Sequence, residues 1–256
     1  MNIEEAKKIT LSLIDTFNKA GNIALDLRAA GLKKEIKLDN TPVSNGDIEV
    51  NKILKKKISE ITPNIIIVSE ENSAHKNDKN LKDFWLIDPI DGTNDYINNR
   101  DEFTLNAALI LNNTPAIGII SAPAKKRVFY SYGASNSYEL INSQEIELVN
   151  KKKDYEIIKA VCYSDNIKQK ISEIHKKNQV ASHQKMKSSL KFCVVAAGEY
   201  DLYVAEPRAC EWDIAAGHAI VVHAGGEIKD FDGKEIKYGK INFKNTSIIV
   251  KNKNII

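Results

Sequence analysis

Cysteine is scarce in this sequence. The 256 residues hold three, Cys162, Cys193 and Cys210, an odd number, widely spaced and without a C-x-x-C pair. That argues against a disulfide framework or a structural zinc and for a reducing, cytoplasmic compartment. Long apolar runs are missing as well: none approaches the ~20 residues of a membrane-spanning helix, although peripheral association with the inner membrane stays open. Residues 1–10 mix acids and bases in an amphipathic pattern unlike a signal peptide. There is no internal repeat and no low-complexity tract. The net charge is only +3. The runs Lys55-Lys56-Lys57 and Lys151-Lys152-Lys153 are short and lack interleaved aromatics, so they read as solvated faces, and no stable nucleic-acid complex is expected. His75, His175, His183, His218 and His223 show no H-E-x-x-H spacing and read as surface or packing residues. What is present is an ordinary globular composition, 43% apolar and 28% charged, long enough for a sizeable core.

The informative stretch is Trp85-Leu86-Ile87-Asp88-Pro89-Ile90-Asp91-Gly92-Thr93-Asn94. An apolar run over 84–87 reads as a buried strand ending in two carboxylates. Pro89 cannot donate to a sheet ladder, so the strand is expected to stop there. Gly92 lets the backbone turn or approach a ligand, and a short helix follows. Two acids beside the N–H groups of a helix start suit a hard cation and a phosphate together.

Taken in order, residues 3–30 carry apolar positions at helical spacing, with Asn2 as cap and Gly31 as stop. Residues 32–46 read as a mobile loop or loose hairpin carrying Lys37, which is expected to close over the site. A second helix is expected from about Asp47 to before Pro63. Ile65 to Val68 reads as a strand followed by Glu70 and Glu71, and 72–82 as a surface loop. Three runs, 104–111, 116–122 and 127–132, suit an antiparallel meander. Residues 138–154 read as charged and irregular, so a subdomain boundary is placed near 145–155, dividing one domain into parts of about 1–150 and 151–256. Then come a strand at 157–162, helices at 165–178, 188–197 and 212–223, and strands at 202–204, 227–229 and 246–250. Unaided, this is an α+β pattern with an antiparallel first sheet and a smaller mixed second half.

Glu70, Asp88, Asp91 and Asp213 each follow or begin an apolar element. Were they to converge, two carboxylates ~4 Å apart would cost about 4 kcal/mol at an effective dielectric near 20, so protons or cations would be needed. All-oxygen ligation beside a phosphate favours magnesium. Val68-Ser69-Glu70-Glu71, the stretch from Trp85 to Thr93, and Trp212-Asp213-Ile214-Ala215-Ala216-Gly217 together resemble the three motifs of the inositol monophosphatase superfamily. The resemblance covers nearly the whole chain. Glu102-Phe103-Thr104-Leu105-Asn106, Ser188-Ser189-Leu190-Lys191-Phe192-Cys193 and Glu211-Trp212-Asp213 are most similar to its CysQ-type 3′(2′),5′-bisphosphate nucleotidases. That resemblance implies a layered α/β/α/β/α sandwich, hydrolysis of adenosine 3′,5′-bisphosphate to AMP and phosphate, and lithium inhibition. It implies two or three Mg2+ ions held by Glu70, Asp88, Asp91, Asp213 and the Ile90 carbonyl. It implies that Gly92 and Thr93 hold the scissile phosphate, with Asp213 also on the substrate side. Asp47, Thr93 and Glu70 would activate the attacking water. Ser189 and Lys191 would contact the nucleotide.

This chain departs from the pattern in several places. Ser44-Asn45-Gly46-Asp47 replaces Thr-x-Ala-Asp, and Lys187 stands where Gly is usual. Val204-Ala205 follows Tyr203 where the CysQ pattern has Pro-Arg, so Arg208 is the candidate replacement. Ser164-Asp165 replaces Ser-His. The catalytic half is intact and the selecting half altered, which leaves an inositol or other sugar phosphate, or a partly non-enzymatic protein- or RNA-binding role, as alternatives. A monomer or homodimer acting on a small phosphorylated substrate, most simply a nucleotide, is expected.

Overall fold

The first helix, α1 (Ile3–Ala30), begins where Asn2 accepts the Glu5 N–H at 2.9 Å and ends at Gly31. Its buried stripe includes Leu13, Phe17, Ala20 and Ala24. The structure, a computed structural model, describes residues 1–37, 41–71, 75, 78, 81–148 and 157–255. A small antiparallel hairpin follows, β1 (Lys34–Ile36) with β2 (Pro42–Ser44). Next comes α2 (Asn45–Ile61), which starts two residues before the expected Asp47 because Ser44 is its cap.

A seven-stranded sheet then forms from β3 (Ile66–Ser69), β4 (Phe84–Asp91), β5 (Thr104–Leu111), β6 (Thr114–Ala122), β7 (Arg127–Ser131), β8 (Ser137–Ile141) and β9 (Gln144–Glu147), in that order. The short α3 (Thr93–Ile97) lies between β4 and β5. The sheet is not wholly antiparallel as expected: β3 pairs with β4 in parallel. Nor does β4 stop at Pro89. It runs on to Asp91, with a shift of register against β5 between Asp88 and Asp91. A proline lost to the ladder is tolerated at such an irregularity, and β3 pairing has already ended at Ile87. The region read as irregular holds β8 and β9 instead. They are joined by Asn142 and Ser143, both at positive φ, the conformation a tight two-residue hairpin requires. The Lys151-Lys152-Lys153 run and most of 72–80 lie outside the described residues.

The second sheet contains β10 (Ile158–Cys162), β11 (Val180–Lys185), β12 (Leu202–Ala205), β13 (Glu227–Lys229) and β14 (Ile248–Lys251), in the order β11-β10-β12-β14-β13. Strand β11 was not expected from the sequence; apart from Val180 its residues are polar or small and mostly exposed. The helices of this half are α4 (Gln169–Lys177), α5 (Leu190–Ala196) and α6 (Glu211–His223).

Contacts order the layers. Helices α1 and α2 pack on one face of the large sheet, α6 on the other, and α5 joins α6 to β12 and β14. Helix α4 covers the outer side of the small sheet against β11 and β12. The result is the α/β/α/β/α sandwich. Strand β4 shows the logic at single-residue resolution: Trp85 and Ile87 point into the core under α1 and α2, Phe84 and Leu86 into the core under α5 and α6. Helix α6 was expected to be apolar on one face, yet Trp212, Ile214 to Ala216 and Ala219 to Val221 are buried around its whole girth, as a middle layer demands. It approaches β6 so closely that a Cβ at Gly118 would lie 2.4 Å from the Ala216 carbonyl oxygen. No described helix is long and apolar enough to cross a membrane.

Candidate active site

The ends of β3 and β4 and the start of α6 meet at one place. One carboxylate oxygen each from Glu70, Asp88 and Asp213 lies within 4.8 Å of the others. Asp88 is 1% exposed, and its Oδ1 has no hydrogen-bond partner. Burial, reinforced by the charges of Glu70, Asp91 and Asp213, pushes the Asp88 carboxyl well above its ordinary range. Burial, with the Asp91 and Glu70 charges, raises Asp213 to about 8. Asp213 also caps α6, accepting the Cys210 N–H at 2.7 Å. An orphaned buried carboxylate oxygen among converging acids fits a hard cation with oxygen ligands. Asp91 stands beside this group and is not in it: its Oδ2 is 2.6 Å from the Ser189 hydroxyl. That hydroxyl is equally close to the Asp213 carbonyl oxygen and accepts from Asn106 Nδ2 at 3.0 Å. Ser189 is therefore engaged with the protein's own groups.

In the wall of the cleft that holds the acids, Gly92 turns the chain at φ 90°, ψ 34° into α3. A Cβ there would be 3.0 Å from the Glu102 carbonyl oxygen, and its left-handed backbone would strain any other residue. The Thr93 hydroxyl lies 3.1 Å from Asp47 Oδ1 and 3.0 Å from the Ile90 carbonyl oxygen, so both acceptors fix it. Asp47 is fully buried, and its Oδ2 accepts the Ser44 N–H at 2.8 Å and the Ser44 hydroxyl at 2.6 Å. Burial raises the Asp47 carboxyl, and the Ser44 bonds partly offset this. In the sequence Ser44 stood out only as part of the Ser44-Asn45-Gly46-Asp47 departure and not as a cap, although Ser-x-x-Asp before a helix is a capping signal.

Cations ring the acids. Lys37, from the β1–β2 hairpin, reaches Glu71 at 2.7 Å and Glu70 at 3.4 Å. Burial acts to lower its pKa, but the two acids more than reverse that and raise it. Lys191 is 4% exposed, donates to the Ser188 carbonyl oxygen and is lowered to about 8 by burial. Arg208 and Lys187 both lie against the Tyr163 ring. Neither Tyr163 nor Lys187 was singled out as a site residue from the sequence. An open cleft of about 550 Å³ includes Glu70, Asp88, Asp213, Thr93, Lys187 and Arg208 in its wall. Lys191 and Ala205 line a recess of about 100 Å³ that also touches Asp91 and Asp213.

Residues 5–255 match the model of the inositol monophosphatase family. The chain belongs to that family. Among its relatives is the 3′(2′),5′-bisphosphate nucleotidase CysQ of Buchnera aphidicola, 34% identical over 219 residues, covering 82% of this chain and 80% of that one. The CysQ of Salmonella typhimurium is 33% identical over 206 residues, covering 79% and 81%. A crystal structure of CysQ from Bacteroides thetaiotaomicron superposes with a TM-score of 0.78 at 26% identity, covering 95% of this chain and 96% of that one. A Thermotoga maritima IMPase superposes with a TM-score of 0.74, also at 26% identity, over 94% and 91%.

Proposed function

We propose that this protein is a magnesium-dependent 3′(2′),5′-bisphosphate nucleotidase that converts adenosine 3′,5′-bisphosphate to AMP and phosphate in the cytoplasm. The observation that carries the reading is the cluster of Glu70, Asp88 and Asp213, with an orphaned Asp88 oxygen, sharing one cleft with Thr93, whose hydroxyl bonds to Asp47. Its CysQ relatives, matched over about four-fifths of the chain, supply the substrate class.

Glu70, Asp88 and Asp213, with Asp91 and the Ile90 carbonyl beside them, would hold two or three Mg2+ ions. Bound there, magnesium lowers the pKa of water, screens the phosphate charge and stabilises the departing ester oxygen. The remaining steps belong to the chain. The N–H groups of Gly92 and Thr93, at the start of α3, lack intrahelical acceptors and would donate to phosphate oxygens. Thr93 accepts a hydrogen bond from the attacking water and passes a proton to Asp47, whose raised carboxyl suits it to act as the base. The water oxygen bonds to phosphorus, the ester oxygen leaves in line with the bonding pair, and no phospho-enzyme forms.

The test is phosphate release from adenosine 3′,5′-bisphosphate, inositol 1-phosphate and fructose 1,6-bisphosphate with magnesium, with and without lithium. Preferential, lithium-sensitive release from the nucleotide supports the reading. Preferential release from a sugar phosphate keeps the reaction and overturns the substrate.

A further inference from the structure

Three segments distant in sequence converge on one aromatic ring beside the acid cluster. Tyr163 directly follows β10, Lys187 follows β11, and Arg208 lies between β12 and α6. Lys187 Nζ is 3.3 Å from the Tyr163 ring centroid and Arg208 Cζ is 3.6 Å from it. Both distances are contact distances for a cation on a ring face. The arrangement is held in place. Lys187 Nζ donates to the Tyr163 carbonyl oxygen at 2.8 Å, and its backbone N–H donates to Glu102 Oε2 at 2.9 Å.

Two cations on one ring repel each other. Most cations around the site have a carboxylate to offset them: Lys37 has Glu71, Arg100 has Asp95, Lys185 has Asp165. Among the described residues, no carboxylate forms an ion pair with Lys187 or Arg208. Yet both side chains border the cleft that holds Glu70, Asp88 and Asp213. A positive pair without an anion, at the mouth of a site whose floor is negative, marks a place for negative charge on the ligand that the floor does not take. A guanidinium and an ammonium together match a phosphate, the guanidinium with two parallel donors and the ammonium as a point charge. Ala205, which also lines the adjoining recess, leaves room beside Arg208 where a larger side chain would compete.

We propose that Lys187 and Arg208, stacked on Tyr163, are the specificity-determining residues for a second phosphate on the substrate, the one that is not cleaved. The inference rests on the phosphatase reading of the acid cluster. It assigns the selection of doubly over singly phosphorylated substrates to Lys187, which stands where the family pattern has Gly, acting together with Arg208, the candidate replacement for the arginine missing after Tyr203. Tyr163 acts as a positioning residue, setting the spacing of the two cations.

The experiment compares kcat/KM for two pairs that differ only in the second phosphate: adenosine 3′,5′-bisphosphate against 3′-AMP, and fructose 1,6-bisphosphate against fructose 1-phosphate. Wild type favours the bisphosphate in at least one pair. In Lys187→Met/Arg208→Met that preference falls by about tenfold or more, through KM rather than kcat. Lys187→Arg, with the charge kept, retains most of it, and Tyr163→Leu loses part. A double variant that keeps the wild-type preference, or loses both members of a pair equally, overturns the assignment while leaving the phosphatase reading intact. So does a wild type with no preference in either pair. A wild type that hydrolyses none of the four compounds but releases phosphate from inositol 1-phosphate overturns the assignment and keeps the phosphatase reading; one that hydrolyses none of the five overturns both.

Discussion

Asp47 and Thr93, from two different helices, are joined by a 3.1 Å hydrogen bond from the threonine hydroxyl to Asp47 Oδ1. The second carboxylate oxygen is taken up by Ser44, so the acid has one direction left in which to receive a proton. Thr93→Val and Asp47→Asn are therefore expected to lower kcat by roughly 10²–10⁴, with KM changed far less. Thr93→Ser keeps the hydroxyl and most of the rate. Steady-state kinetics on the preferred substrate, with circular dichroism to establish folding, checks this.

Asp88 bears the conflict within the acid cluster. Magnesium should stabilise the wild type by about 2.7 kcal/mol at a hundredfold excess over Kd, seen as a rise of several degrees in Tm. Asp88→Asn relieves the like-charge repulsion, so its Tm without magnesium should equal or exceed that of the wild type. Its Tm should no longer respond to the metal. Thermal melts with and without magnesium read both effects; a variant that melts lower and still responds would rule out Asp88 as a ligand.

Lys191 titrates near pH 8 in the folded protein against an ordinary value of 10.5. Between those values the unfolded chain holds a proton that the folded chain has lost, so stability rises with pH across that window. Below about pH 8 both states carry the charge, and the folded state bears its full desolvation. Unfolding by urea from pH 7 to 10 should show this rise in the wild type and a flatter line in Lys191→Met. If the ammonium also contacts substrate, KM increases above about pH 8 in the wild type and not in the variant.

Gly118 tests the packing that places Asp213. A methyl there would meet backbone, the Ala216 carbonyl oxygen at 2.4 Å, which cannot rotate aside. Gly118→Ala should cost about 3 kcal/mol and should weaken magnesium binding, because the clash pushes α6 off β6. Urea melts and magnesium-dependent Tm shifts measure the two consequences separately.

Only the resemblance to the family's motifs implied that the acids belong together; Glu70 and Asp88 were legible by themselves as acids at or beyond the ends of apolar strands, and Asp213 as the acid opening an apolar helix. The ends of α1, the stop before Pro63 and the central strands followed from local signals of the same kind. The passage of β4 through Pro89 did not, since only the partner strand reveals that the ladder shifts there. Strands β8 and β9 were hidden by their charge. Glu139 reads as a solvent residue, yet it is 6% exposed because Arg127 from β7 pairs with it. The Lys187–Tyr163–Arg208 stack joins residues that no sequence spacing connects. Where a feature depends on pairing between distant segments and no motif marks it, local signals along the chain do not reveal it.

Helix α6 lies between the two sheets, and its first turn carries Asp213. Glu70 and Asp88 are therefore made, and leave the ribosome, long before Asp213, the acid that completes the group. A nascent chain that ends before α6 has an unfinished cluster and an unfilled middle layer. The same helix that fills that layer also brings Asp213 to Glu70 and Asp88. The acid cluster is thus whole only in a chain that has been made as far as α6, with most of the fold already behind it.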